Sequence, residues 1–238
     1  MTSLNKDSSM SGNHPSKVTV LFNRQISMTD SPTLDFYNQH ADSYIEQTRN
    51  VKMHALYKKF TSHLPSTSGV SQHVLDLGCG SGRDSFWFSN ELGVKVTAID
   101  ASLELIKRNQ AYYAASNINW KHLNFEDIRH QGWENQFTGV WACASLLHVL
   151  FNELPNMIVS LLDTLVSGGV MYASFKHGDG ERYDGERFFC DMNEERFLEI
   201  FQQISTTHPL EYVTWITADQ QGGRDIEWFN VLMNKEYG

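Results

Sequence analysis

Residues 74–84 read VLDLGCGSGRD. An apolar run ends there in three glycines two residues apart, Gly78, Gly80 and Gly82, and such a turn lets a ligand come very close to the backbone. A dinucleotide fingerprint, G-x-G-x-x-G, needs its third glycine at position 83, where this chain has Arg83. Asp76 lies two residues before the loop, and a carboxylate there disfavours pyrophosphate but suits a ligand with positive groups. A phosphate-binding GxxxxGK[ST] is absent. The loop reads as a cradle for a nucleoside joined to an amino acid, as in S-adenosylmethionine, which carries an ammonium and a sulfonium.

The flanking sequence supports that reading. KVTAID reads as the next strand and ends in Asp100, 18 residues after Gly82, where an acid can accept both hydroxyls of an unphosphorylated ribose. GRDSFWFSNEL and SLELIKRNQAYYAAS read as helices, INWKHLNF and GVWACASLL as the third and fourth strands. LPNMIVSLLDTLV has helical periodicity with a stop at SGG, and GVMYASF follows as a fifth strand. NEERFLEIFQQI is a further helix, and LEYVTWIT and EWFNVLMNK close the chain as two strands with no helix between them. This alternation predicts an α/β fold: a doubly wound, mostly parallel seven-stranded sheet with an antiparallel edge strand. The glycine loop falls at the carboxyl end of a strand, where such sheets bind ligands.

The composition narrows the function classes. The chain has 238 residues, 41% hydrophobic and 20% charged, with 28 acids against 19 bases for a net charge of −9. That surface repels a phosphate backbone and disfavours nucleic acid as a partner. No apolar run approaches the roughly 20 residues of a membrane span. Three scattered cysteines and the lack of HExxH or paired histidine spacing indicate neither a disulfide framework nor a metal, and a cytoplasmic setting follows. Residues 1–30, rich in Ser and Asn, read as a disordered leader, with the short apolar patch Val18–Phe22 of open status. The main domain is expected over residues 31–238.

VLDLGCGSGRD, VTAID and LVSGGVMYASF resemble the successive motifs of class I S-adenosylmethionine-dependent methyltransferases, over about residues 34–235. WACASLLHV and YASFKHGDGE are similar to a group of small bacterial, tellurite-resistance-like methyltransferases. The resemblance implies a Rossmann-like fold and S-adenosyl-L-methionine as cofactor. It assigns Asp76, Gly78 and Gly80 to the methionine end, Asp100 to the ribose and Ala101 to the side of the adenine. The segment around Phe125 would grip the adenine edge, but the family's usual acid is Asn124 here, with Glu126 as a substitute.

The acceptor side is less determined. Ser145, Leu146 and His148 follow the fourth strand; His148 is either a base near neutral pH or a packed structural histidine. KHGDGERYDGERFF reads as a polar loop, either solvated or lining the site, and carries Lys176 and Arg187; DQQGGRDIEW carries Arg224. Lys176 either meets an anionic part of the acceptor or pairs with Asp179 or Glu181. Tyr37, His40 and Tyr44 share a helical face in residues 31–65, either packed on the core or forming a lid over the sulfonium. The expected activity is methyl transfer to a small-molecule acceptor, with an anionic one considered. The alternatives are a macromolecular acceptor, tRNA or protein, and a non-catalytic S-adenosylmethionine-binding protein. The oligomeric state is left open.

Overall fold

A computed structural model describes residues 31–65, 71–221 and 224–236. The expected leader, residues 1–30, and the patch at Val18–Phe22 lie outside the described residues.

Five strands form the parallel part of one sheet: β1 (His73–Leu77), β2 (Lys95–Asp100), β3 (Ile118–His122), β4 (Phe137–Ala142) and β5 (Leu165–Lys176). Two further strands, β6 (Gly180–Asp184) and β7 (Arg187–Asp191), make a separate hairpin, and β8 (Leu210–Ala218) and β9 (Glu227–Lys235) complete the main sheet. The order is β3-β2-β1-β4-β5-β9-β8, and β1 to β5 are mutually parallel. The antiparallel strand is β9, inserted between β5 and the edge strand β8.

Strand side chains alternate between two cores. On one face Leu75, Leu77 and Val140 pack with α6 (Leu154–Thr164) and α7 (Glu194–Ile204). On the other, Val74, Val96 and Trp141 pack with Tyr57 and Phe60 of α3 (His54–Thr61) and Phe88 of α4 (Arg83–Asn90). Two short helices, α1 (Pro32–Gln39) and α2 (Ala41–Thr48), lie against α5 (Leu103–Tyr112), and α1 also touches β7. Ser31 caps α1 by accepting the Leu34 N–H, and Pro32 sits at the first helical turn, where its missing N–H costs nothing.

The structure departs from the sequence expectations at three places. Helix α6 ends at Thr164, before the SGG stop, because Leu165 already pairs with Phe137 of β4; Gly168, at φ 72°, belongs to the irregular start of the strand. KHGDGERYDGERFF contains the β6–β7 hairpin rather than a loop, closed by Gly185 and Glu186 with positive φ only at the glycine, 62°. That pattern suits a type II′ turn, whose twist matches the flanking strands. The helix expected across Tyr37, His40 and Tyr44 breaks at His40, at φ −108° and ψ 19°.

Candidate functional site

The carboxyl end of β1 opens into the glycine turn. Gly78 and Gly80 hold left-handed backbones, φ 67° and 53°, in a crowded place: a Cβ on Gly78 would lie 2.6 Å from Ser145 Cβ, and one on Gly80 3.0 Å from the Tyr44 hydroxyl. Asp100 fixes the turn from β2. Its carboxylate accepts the Gly80 N–H at 2.9 Å and the Ser102 N–H at 2.8 Å. Burial holds its pKa above the ordinary carboxylate value, and those two N–H bonds offset only part of that rise. Two bonds leave lone pairs free on a carboxylate, enough for a pair of hydroxyls. A chamber of about 60 Å³ beside it is lined by Gly78, Gly80, Asp100, Ala101, Phe125 and Ser145. The Ser145 Oγ is buried without a hydrogen-bond partner, so a polar ligand atom has a ready donor there.

Two buried acids sit behind the turn. Asp76 is 2% exposed, accepts from the Ser85 hydroxyl and lines neither this chamber nor the larger one below. Burial, then the nearby negative charge of Asp84, pushes its carboxyl up to about 8. Asp84 lies under the larger chamber and accepts two bonds from Arg83, at 2.6 and 2.9 Å, one from Trp141 Nε1 at 2.9 Å and one from the Tyr57 hydroxyl. Burial opposes its charge, but Arg83 and these donors hold its carboxyl below the ordinary range. Arg83, at the position of the missing third glycine, is bidentate to its neighbour Asp84 within α4, and α3 adds the Tyr57 hydroxyl to the same carboxylate.

His148 ties α1 to the β6–β7 hairpin. The His148 Nδ1 lies 2.6 Å from the Phe188 carbonyl, which can only accept, so Nδ1 carries the proton and Nε2 accepts from the Tyr37 hydroxyl at 2.9 Å. Burial lowers the imidazole pKa to about 4, against a partly opposing Phe188 carbonyl. His148 is therefore neutral at pH 7 with its free lone pair engaged by Tyr37, a contact that fits the packed reading of this histidine. Tyr37 and Tyr44 meet edge to face at 5.2 Å and line both chambers. His40 does not join them; it is exposed and packs on Phe36. Ala144, which sequence reasoning missed, also lines both chambers and holds φ 53°, a left-handed backbone that costs an alanine about 1–2 kcal/mol.

Beyond the tyrosines a cavity of about 390 Å³ takes in Lys176, Arg187 and Arg224 together with Trp228. The three bases differ in how they are paired. Arg224 grips Asp219 with two bonds, 2.9 and 2.6 Å, and Trp228 donates to the same carboxylate at 2.9 Å. Lys176 and Arg187 share Asp184 through one oxygen, at 3.8 and 3.7 Å. Asp179 and Glu181, expected as partners of Lys176, turn instead to Arg196 and to the Phe151 N–H. Burial, then Arg182, lowers the Lys176 pKa.

The adenine-edge residues are spread out. Asn124 precedes the 3-10 turn Phe125–His130 and lines none of the hollows described here, whereas Glu126 lines a neighbouring one of about 80 Å³ with Phe125 and His148. Among the described residues no His, Cys, Asp and Glu group could hold a metal, and no helix is long and apolar enough to cross a membrane.

These features fit S-adenosylmethionine in kind: an acid with free lone pairs, an unpartnered Ser145 hydroxyl, a glycine cradle and aromatic faces. The Asp100 chamber is the smaller of two adjoining hollows, and Leu34 and Tyr37 of α1 form part of its wall.

Comparison with known proteins agrees with this assignment. Residues 74–169 match a family model described as a methyltransferase domain. The chain is 30% identical over 112 residues to the O-methyltransferase resE of Aspergillus sclerotiorum, covering 45% of this chain and 41% of that protein, so it spans less than half of that relative's length. Its fold is similar to that of the Burkholderia thailandensis 1,6-didemethyltoxoflavin-N1-methyltransferase, solved with 1,6-didemethyltoxoflavin and S-adenosylhomocysteine: TM-score 0.65, 18% identity, 85% of this chain and 86% of that one. It is equally similar to the [4+2]-cyclase SpnF, with TM-score 0.65, 14% identity and coverage of 87% and 98%. At these identities the structural likeness establishes the fold, and a fold shared with a cyclase does not fix the reaction.

Proposed function

We propose that the chain, whose residues 74–169 match a methyltransferase domain, is a class I S-adenosylmethionine-dependent methyltransferase and that it methylates a small acceptor bearing an anionic group. The observation that carries the reading is the 390 Å³ cavity, which shares Tyr37, Tyr44 and Gly78 with the Asp100 chamber and brings Lys176 and Arg187 to its far wall. The bound donor supplies an electrophilic methyl on a sulfonium, and the protein's part is alignment, exclusion of water and charge placement.

In this reading Asp100 accepts the ribose hydroxyls, and Gly78 and Gly80 let the backbone approach the methionine portion. Ser145 offers its hydroxyl, while Ala101 and Phe125 flank the adenine with Glu126 beyond them; Asn124 is left without a direct part. Tyr37 and Tyr44 present aromatic faces to positive charge and close the cavity to water. His148 positions Tyr37. Lys176 and Arg187 draw the acceptor's anionic end, and Arg224 braces the wall through Asp219. A macromolecular acceptor such as tRNA is disfavoured by the net charge of −9.

The test is S-adenosylhomocysteine formation from S-adenosylmethionine with panels of small carboxylates, small phosphates, neutral analogues and tRNA. Turnover confined to anionic small molecules is the expected result. Donor binding without product from any panel would leave a binding protein in place of an enzyme, and turnover on tRNA alone would reverse the acceptor class.

A further inference from the structure

Asp184 is poorly suited to the task of an ordinary ion-pair partner. One oxygen serves both Lys176 Nζ at 3.8 Å and Arg187 Nη2 at 3.7 Å, well outside the ~2.7–2.9 Å of a charge-assisted hydrogen bond. Elsewhere on the same hairpin, Arg182 meets Asp191 at 2.7 Å. Asp184 is also the exposed member, its side chain 53% accessible against 15% for Lys176 and 29% for Arg187. Two enclosed cations thus lean on one loosely held carboxylate.

The cations themselves are incompletely satisfied. Arg187 Nε is buried and has no partner, and such a donor is costly to leave unpaired. Part of the compensation comes from aromatic faces: Lys176 Nζ lies 3.6 Å from the Phe189 ring centre, and the Arg187 guanidinium carbon 4.7 Å from that of Phe36. The hairpin does not need Asp184 as a strut, since the β6–β7 ladder and the Gly185 turn already close it.

We propose that Asp184 is a placeholder for the acceptor's own carboxylate: it occupies the anion position between Lys176 and Arg187 and gives way when a substrate carboxylate enters. The inference rests on reading this cavity as the acceptor pocket, and it names the substrate class as organic acids with an apolar body. Tyr172, Phe189 and Trp228 offer that body its wall. Arginine's planar fork suits a carboxylate, and a partner held at 3.7 Å leaves a closer position to be taken.

The experiment is titration calorimetry with sodium benzoate and with phenyl phosphate, in saturating S-adenosylhomocysteine at fixed ionic strength. The proteins are wild type, Asp184→Asn, Asp184→Ser and Asp184→Asn combined with Arg187→Met. Removing the competing charge should tighten benzoate by about tenfold in both single variants, the low end for a half-exposed pair at this separation. The double variant should lose that gain, and phenyl phosphate should gain less than benzoate. Unchanged or weaker benzoate binding in both single variants, or no binding to any protein, overturns the placeholder. A larger gain for phenyl phosphate overturns the carboxylate assignment. Titration of S-adenosylhomocysteine into the same samples separates the premises. Retained cofactor binding confines a failure to Asp184 and shows that the variants are folded, whereas no cofactor binding even by wild type defeats the functional reading itself.

Discussion

Replacing His148 by glutamine should make the protein less sensitive to acid between pH 7 and pH 4.5. The imidazole is buried and its pKa lies at about 4 instead of 6.5, so the unfolded chain takes up a proton in this window and the folded chain does not. Stability is then fully present above pH 6.5 and falls with pH until the folded group also titrates. At 1.36 kcal/mol per pH unit and per proton, the loss from this one group between pH 7 and 4.5 is roughly 2 kcal/mol. His73, lowered to about 4 by burial and then Lys95, acts in the same direction, while Asp76, raised to about 8, acts in the opposite one. A single pH curve therefore cannot isolate His148, but the difference between wild type and His148→Gln can. Glutamine can still accept from Tyr37 and donate to the Phe188 carbonyl, so the variant should fold. Urea unfolding of both proteins at pH 7 and 4.5 gives the quantity directly. The variant's deficit should shrink by roughly 2 kcal/mol on going to the lower pH. If the two proteins lose stability in parallel, His148 is not held neutral and the latch to Tyr37 has been misread.

Three other perturbations follow from the site. Asp100→Ala should weaken S-adenosylmethionine binding by roughly 1.5–3 kcal/mol, the scale of hydrogen bonds to a charged group, and calorimetry that finds unchanged affinity in a folded variant would put the ribose elsewhere. Arg187→Ala should raise the acceptor KM with donor affinity nearly unchanged, whereas Arg224→Ala, by releasing Asp219, should mainly lower the melting temperature; equal kinetic effects would refute the distinction. Removing residues 1–27 should leave the thermal shift given by the cofactor intact, and removing residues 1–50, which takes away Tyr37 and Tyr44, should diminish it. Identical behaviour of the two truncations would dismiss the lid.

The central strands were legible because burial on both faces leaves a mark in the sequence that little else does. HVLDL and FTGVWA are short, largely buried runs of the kind a sheet covered on both faces accommodates. The hairpin left a weaker mark. Gly180–Asp184 is polar and largely exposed, so no apolar alternation reveals it, and its one signal was a tight turn at Gly185. The end of α6 was misread for the converse reason: Leu165 continues the helical period, yet its backbone is taken by Phe137 of β4. Local pattern loses to a sheet neighbour some 30 residues away in the chain. In the site, the meeting of the glycine turn with Asp100 was readable because it runs through the backbone of consecutive elements. The direction of the buried Asp76 side chain was not, since it depends on α4, which supplies Ser85.

The three bases show the same limit most sharply. Lys176, Arg187 and Arg224 looked equivalent in sequence, each a cation in a polar segment. What separates them is the distance and burial of the nearest acid. Arg224 finds Asp219 five residues away, at 2.6 Å, with that carboxylate only 3% exposed and also bound by Trp228, so its charge is spent on the wall. Arg187 and Lys176 find one exposed oxygen between them, and neither comes within 3.5 Å of it. In a chain with nine more acids than bases, partners for a cation are abundant. Two cations that share one loosely held carboxylate, inside a cavity that reaches the glycine turn, are therefore the exception on which the proposed acceptor site rests.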